Sequence, residues 1–210
     1  MEKLSDLERE KWSTFWKHRE GNLLGIILGH IRTKIVTKIV TKNYSSRGPM
    51  LEAGSGLAVP TIYLGKMQRG AVFALDIVFE VLKESKELAE KRSVYLNTVC
   101  GDLRHIPFKD KSFGLVFSDG VLEHFQDPIP IIKEMNRVSK VTIAVLHTGL
   151  IWNLAKQFKK VIKEDRGVAS LHYEYYDIKS ALHFFKSAGY SKIKARKFCS
   201  MFLIIIASSQ

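Results

Sequence analysis

Met50-Leu51-Glu52-Ala53-Gly54-Ser55-Gly56-Leu57-Ala58-Val59-Pro60 is the most informative run in this chain. An apolar strand ends at Glu52 or Ala53, the chain turns on Gly54 and Gly56, and a helix starts near Pro60. Glycine lacks a Cβ, so the backbone turns sharply there and approaches a ligand closely. Amides at the following helix start can face a ligand carboxylate. A dinucleotide fingerprint requires a third small residue three places after the second glycine. That place is Val59, and the small residue is Ala58, one place too early. Glu52 also stands two residues before the first glycine. This spacing disfavours a nicotinamide pyrophosphate and suits a ligand that carries an amino group.

Further acids follow at the ends of successive strands. Asp76 closes the second strand, 24 residues after Glu52, where a carboxylate can accept from a ribose diol. Asp102 follows the third strand in Cys100-Gly101-Asp102-Leu103, where it can accept from the exocyclic amine of a base. The fourth strand runs out in Ser118-Asp119-Gly120-Val121-Leu122-Glu123-His124. Each acid alone is as readily a helix cap or a solvated loop carboxylate. Their order after a glycine loop points to one ligand-binding rim, because open parallel sheets bind ligands at the carboxyl ends of their strands.

Outward from this run, short apolar strands alternate with amphipathic helices. Strands are expected at 49–53, 71–76, 94–100, 113–118, 141–147, 192–198 and 201–208, and helices at 60–67, 79–91, 128–139 and 178–188. Such alternation predicts an α/β fold with a parallel sheet covered on both faces. The last two strands are separated by a short turn, which implies a hairpin and one antiparallel strand. Residues 148–176 are too long for a simple connection and read as an inserted, partly helical lid over the strand ends.

The first 47 residues read as a helical cap, and 48–210 as the main domain. Residues 1–20 form a polar helix with Trp12, Phe15 and Trp16 near one face, read as cap packing or as a substrate cage. From Asn22 to Lys42, apolar residues recur at helical spacing, and a Thr-Lys-Ile-Val repeat sets Lys34, Lys38 and Lys42 on one stripe. That stripe is either the wet edge of a packed helix or the contact of a helix resting on a membrane.

The 210 residues carry a net charge of +12, with 46% hydrophobic and 26% charged, which excludes a disordered or disulfide-scaffold chain. Residues 1–50 contribute +5, 51–150 are neutral, and 151–210 contribute +7. The excess therefore lies in the flanks and bears on an anionic partner rather than on the glycine loop. No apolar run reaches the length of a transmembrane helix, the N-terminus lacks a signal-peptide core, and Cys100 and Cys199 form no metal or redox spacing. A reduced, cytoplasmic setting is expected. No metal site is expected.

In this ordered set of motifs the chain resembles the class I S-adenosylmethionine-dependent methyltransferases, in the small-molecule-like "type 11" branch. The likeness is strong over residues 48–147 and weaker beyond. Leu51 to Gly56 resembles the family's first motif, with Ala58 where a third glycine is common. Ala74-Leu75-Asp76-Ile77 resembles the second, Gly101-Asp102-Leu103 through Phe113 the third, and Val116 through His124 the fourth. Gly114 departs from an aspartate common before the fourth strand.

The resemblance implies a Rossmann-like, doubly wound seven-stranded sheet in the order 3-2-1-4-5-7-6, with S-adenosylmethionine as cofactor and S-adenosylhomocysteine as product. It implies that Glu52 holds the methionine amino group, that Gly54, Ser55 and Gly56 line the methionine and ribose, and that Asp76 binds the ribose hydroxyls. Ile77 and Leu103 would close the two adenine faces, Asp102 would accept from the adenine amine, and Asp119 and Gly120 would border the sulfonium.

A base is needed only for an acceptor that must lose a proton. His124, His147 and Tyr175 are the candidates, each also readable as a structural or substrate-lining group. The expected acceptor is a small or lipid-like molecule, anionic molecules among them. RNA, reached through the basic flanks, is the alternative, as is a silent cofactor-binding protein. The lysine stripe also allows peripheral membrane contact.

Overall fold

The computed structural model describes residues 2–17, 23–45, 48–67, 70–148, 174–198 and 201–209. Elements run in the order α1 (Glu2–Lys17), α2 (Leu23–Asn43), β1 (Met50–Ala53), α3 (Val59–Met67), β2 (Val72–Asp76), α4 (Phe79–Glu90) and β3 (Leu96–Cys100). Then come β4 (Phe113–Asp119), a 3-10 turn (Leu122–His124), α5 (Ile129–Val138), β5 (Ser139–His147), α6 (Ile178–Ser187), β6 (Lys192–Phe198) and β7 (Phe202–Ser208). The strands form one sheet in the order β3-β2-β1-β4-β5-β7-β6, as the resemblance implied. β7 is antiparallel to both β5 and β6, and the other neighbouring pairs are parallel.

The central strands are buried on both faces, so they read as continuous apolar runs rather than as alternation. All four residues of β1 are buried. Successive side chains still point to opposite faces. Leu51, Leu75 and Val116 join the core beneath α5 and α6, with Ile131, Met135 and Phe185. Met50, Ala74 and Phe117 join the core on the other face, with Val36 and Val40 of α2 and Ile62 of α3. Phe117 is fully buried, and its truncation to alanine costs about 3–5 kcal/mol.

Helix ends follow local chemistry. Asp177 caps α6, accepting from Ser180 N at 2.7 Å. The expected helix to 139 stops at Val138, because Ser139 already takes extended angles and begins β5 directly. The third strand starts at Leu96 rather than 94. There the chain leaves α4 through Ser93 at φ 56°, and Val94 N still bonds Ala89 O at 3.0 Å. Of the expected lid, residues 149–173 lie outside the described residues. No helix among the described residues is long and apolar enough to cross a membrane.

Candidate functional site

The strand order reverses between β1 and β4, and connections leave to opposite faces at that point. The crevice so formed at the carboxyl rim is where open α/β sheets bind ligands. Reading across β3, β2, β1, β4 and β5, the rim carries Asp102, Asp76, Glu52, Asp119 and His147 in that spatial order. The sequence-predicted acids are thus brought into one row on adjacent strands.

The glycine loop sits above the middle of the row. Gly54 and Gly56 have φ of 71° and 50°, in the left-handed region that glycine adopts freely. The amides of Gly54 and Ser55 both donate to Leu75 O, at 2.8 and 3.0 Å, which ties the loop to β2. Ala58, where the family commonly has a third glycine, also holds a positive φ of 51° while fully buried. Asp76, the next residue of β2, fixes the loop further. Its Oδ2 accepts from Gly56 N at 2.8 Å and its Oδ1 from Val78 N at 3.0 Å. Burial pushes the Asp76 carboxyl above its ordinary value, and these amides pull it back in part. Ser55 Oγ is buried without a partner among the described residues.

Glu52 is 3% exposed. Thr61, at the start of α3, donates to its Oε2 from Oγ1 at 2.5 Å and from its backbone N at 3.3 Å. Burial pushes the carboxyl up to about 8. The Thr61 bond opposes the rise, nearby Asp119 adds to it, and Arg32 lowers it. A buried acid in this state accepts a cationic neighbour readily, because a positive charge restores the ionised form.

Arg32 was not singled out in the sequence. It reaches from α2 to the end of β4, where Nε donates to Asp119 Oδ2 at 2.8 Å and Nη2 to Asp119 O at 2.9 Å. Asp119 Oδ1 is buried without a partner among the described residues. Gly120 (φ 65°) is where this arginine meets His147, since a Cβ there would lie 2.6 Å from Arg32 Nη2 and 2.4 Å from His147 Cε1.

Glu123 was also passed over as a site residue. It is fully buried, and its Oε1 accepts from His147 N. The same oxygen lies 3.5 Å from His147 Nδ1, and Oε2 has no partner among the described residues. Burial pushes Glu123 up to about 7. Burial, with the charges of Arg32 and His124, pushes His147 down to about 3, so its imidazole is neutral. Glu174 N donates to Glu123 O at 2.8 Å, which holds the chain next to Tyr175 at the rim, although Tyr175 itself is 39% exposed.

Helix α1 closes over this row. Glu8 accepts from Arg104 Nη2 at 2.7 Å. Trp12 stands edge-on to His124, with ring centroids 4.7 Å apart. Trp16 lies on the glycine loop, where a Cβ on Gly56 would come within 2.5 Å of its Cζ2. Phe15 packs edge-on against both tryptophans, with ring centroids 5.5 Å from Trp12 and 5.4 Å from Trp16.

Asp102, the residue expected at the adenine amine, is held by Arg104. Arg104 donates to it from the backbone N, from Nε to both oxygens, and from Nη2, at 2.7–3.0 Å. Burial pushes Asp102 up, but the Arg104 bonds and charge outweigh it and hold the carboxyl below its ordinary value. Leu103 is buried beside it, and Ile77 is half-buried at the end of β2.

A Methyltransferase domain family matches residues 51–142. A demethylmenaquinone methyltransferase of Staphylococcus haemolyticus is 30% identical over 169 residues, with 70% of each chain covered. A protein of Methanocaldococcus jannaschii is 27% identical over 131 residues, and the chain spans 59% of that relative's length. The magnesium protoporphyrin IX methyltransferase of Synechocystis PCC 6803, solved with bound S-adenosylhomocysteine, has the same fold. It superposes with a TM-score of 0.68 at 15% identity, covering 96% of this chain and 94% of the other.

Proposed function

The chain belongs to the class I S-adenosylmethionine-dependent methyltransferases, and from that premise we propose that its acidic rim holds the cofactor while α1 shelters a small-molecule acceptor beside His124 and His147. The observation that carries this reading is the row of Asp76, Glu52 and Asp119 beside the Gly54–Gly56 turn.

The residues present fit S-adenosylmethionine. Ser55 Oγ and Asp119 Oδ1 are buried polar atoms without partners among the described residues, in need of a ligand donor or acceptor. Glu52 and Asp119 suit an ammonium and a sulfonium, and Arg32 suits a carboxylate. Asp76 faces the loop with both oxygens already ordered, ready to accept from ribose hydroxyls through its remaining lone pairs. For adenine, Leu103 and Ile77 supply apolar faces. The Arg104 fork leaves Asp102 little acceptor capacity, so base recognition rests less on that carboxylate.

When bound, the cofactor supplies an electrophilic sulfonium methyl group to an acceptor atom that attacks in line with the carbon–sulfur bond. The protein's task is to align the acceptor and keep water out. Trp12 and Trp16 on α1 serve both ends. Where the acceptor must lose a proton, His147 at the rim and the fully buried Glu123 carboxyl, 3.5 Å from its Nδ1, form the pair available to take it. His147 then orients the acceptor as a neutral hydrogen-bonding group. His124, against Trp12, lines the same space, and burial pushes the Tyr175 phenol up, leaving it a donor.

A small acceptor is favoured by how closely α1 approaches the rim, since Trp16 touches Gly56 and Trp12 touches His124. The Staphylococcus relative, by its name, acts on demethylmenaquinone. The test is transfer of a labelled methyl group into a cell extract separated into small-molecule, RNA and protein pools. Label in the small-molecule pool is expected. Label confined to RNA would overturn the acceptor class, and label in no pool would favour a silent cofactor-binding protein.

A further inference from the structure

We propose that the face formed by α2 and the edge strand β6 docks on an anionic lipid bilayer. The inference is independent of which acceptor is methylated.

α2 carries Arg32, Lys34, Lys38 and Lys42 and no acid over 21 residues. Val36, Ile39 and Val40 bury one side of it, while Lys34, Lys38 and Lys42 are exposed on the other, with Ile31 49% exposed beside them. β6 is the outermost strand of the sheet and reads Lys-Ile-Lys-Ala-Arg-Lys-Phe, again without an acid. Ile193 and Ala195 pack into the core beneath α5 and α6. Lys192, Lys194 and Arg196 point to the opposite face and are exposed.

The strand register says which face that is. Lys194 pairs with Ile206 and Arg196 with Ile204. Directly paired antiparallel residues share a side of the sheet. Ile204 belongs to the core that contains Val36, Ile39 and Val40 of α2, and Ile206 packs against it. The basic residues of β6 therefore lie on the same face of the sheet as α2. Among the described residues, none of Lys34, Lys38, Lys42, Lys192, Lys194 and Arg196 forms an ion pair. Two elements distant in sequence thus present basic side chains on one face of the sheet, with no carboxylate on either element.

Charge complementarity calls for an anionic surface, and the composition of the face selects lipid over nucleic acid. RNA readers stack bases on aromatic rings and fork phosphates with arginine. α2 contains no Phe, Tyr or Trp, and five of the six basic groups are lysines. Lysine's point charge suits the diffuse negative potential of a headgroup layer. The sequence from Leu23 to Ile31 contains no Lys, Arg, Asp or Glu, and exposed Ile31 gives the face an apolar contact to set at the headgroup boundary.

The full chain is tested by co-sedimentation with large vesicles of phosphatidylglycerol and phosphatidylcholine, against vesicles of phosphatidylcholine alone. Binding to the anionic vesicles alone is expected, with loss at about 0.5 M salt, where surface charges are screened. K194Q/R196Q and, separately, K34Q/K38Q should each weaken partitioning by about tenfold or more, since each basic group contributes roughly a fivefold factor. K83Q/K86Q, which removes two exposed lysines from α4, should bind as the wild type does. Unchanged thermal midpoints and S-adenosylhomocysteine affinity would report intact folding in all three. Absence of binding to anionic vesicles, or equal losses in the α4 control, would overturn the proposal. So would variants of the face that lose RNA in a gel shift while keeping vesicle binding.

Discussion

Arg32 and Asp119, 87 residues apart, are joined by two hydrogen bonds, from Nε to the Asp119 carboxylate at 2.8 Å and from Nη2 to its carbonyl at 2.9 Å. The Asp119 side chain is 7% exposed and the Arg32 side chain 38%. The pair anchors α2 at the carboxyl end of β4 and sets one cation among Glu52, Asp119 and Glu123. Removing one partner of a mostly buried pair leaves the other charge uncompensated. Arg32→Ala should destabilise the fold by about 2 kcal/mol, discounted for the exposure of the guanidinium. Asp119→Asn in the same chain should recover part of that loss, because an amide needs no counterion. Denaturant unfolding of the two variants measures both effects, and a more stable Arg32→Ala protein would refute the anchoring role.

Glu52 makes stability depend on pH in an uncommon direction. Its folded value of about 8 stands above its ordinary value of 4.5. Below the ordinary value both states carry the proton. As pH rises toward about 8, the unfolded chain ionises while the folded chain keeps the proton, so stability falls through that window. Glu123, raised to about 7, acts in the same sense. Glu52→Gln keeps an oxygen for the Thr61 donors and removes the titration. It should melt higher than the wild type near pH 8, by on the order of 5 °C, and match it near pH 4. Midpoints that keep the wild-type pH slope would contradict the buried, protonated state.

At Gly56, strain and sterics act together. A side chain at φ 50° costs about 1–2 kcal/mol, and the added Cβ would meet Trp16 at 2.5 Å. Gly56→Ala should therefore lower stability and weaken S-adenosylhomocysteine binding. Adding Trp16→Ala should recover the steric part alone, leaving the backbone cost. Full recovery in the double variant, read by thermal denaturation and calorimetry, would mean that the loop is not held in the left-handed region.

The glycine loop, the acids after β2, β3 and β4, and the strand order were legible because each depends on local spacing and on a rim that parallel topology creates. Arg32 was not, because its partner is 87 residues away and its helix shows only an apolar period with a lysine stripe. Glu123 sat inside a recognised motif yet carried no sign of full burial beneath His147. Asp102 has an arginine two places on, a spacing that allows the fork between them, but nothing local in the sequence marks that arginine as its partner. The start of β5 at Ser139 was obscured because the helical apolar period of α5 runs into the strand without a glycine or proline break.

The proposed cofactor site turns on the Asp76 carboxylate, ordered by Gly56 N and Val78 N, accepting from the cofactor's ribose hydroxyls. Calorimetric titration of S-adenosylhomocysteine into wild type and Asp76→Asn, with folding checked by thermal denaturation, tests it most directly. Binding should weaken by about 1–3 kcal/mol, the cost of removing charge-assisted hydrogen bonds. Equal affinity in the two folded proteins would contradict it.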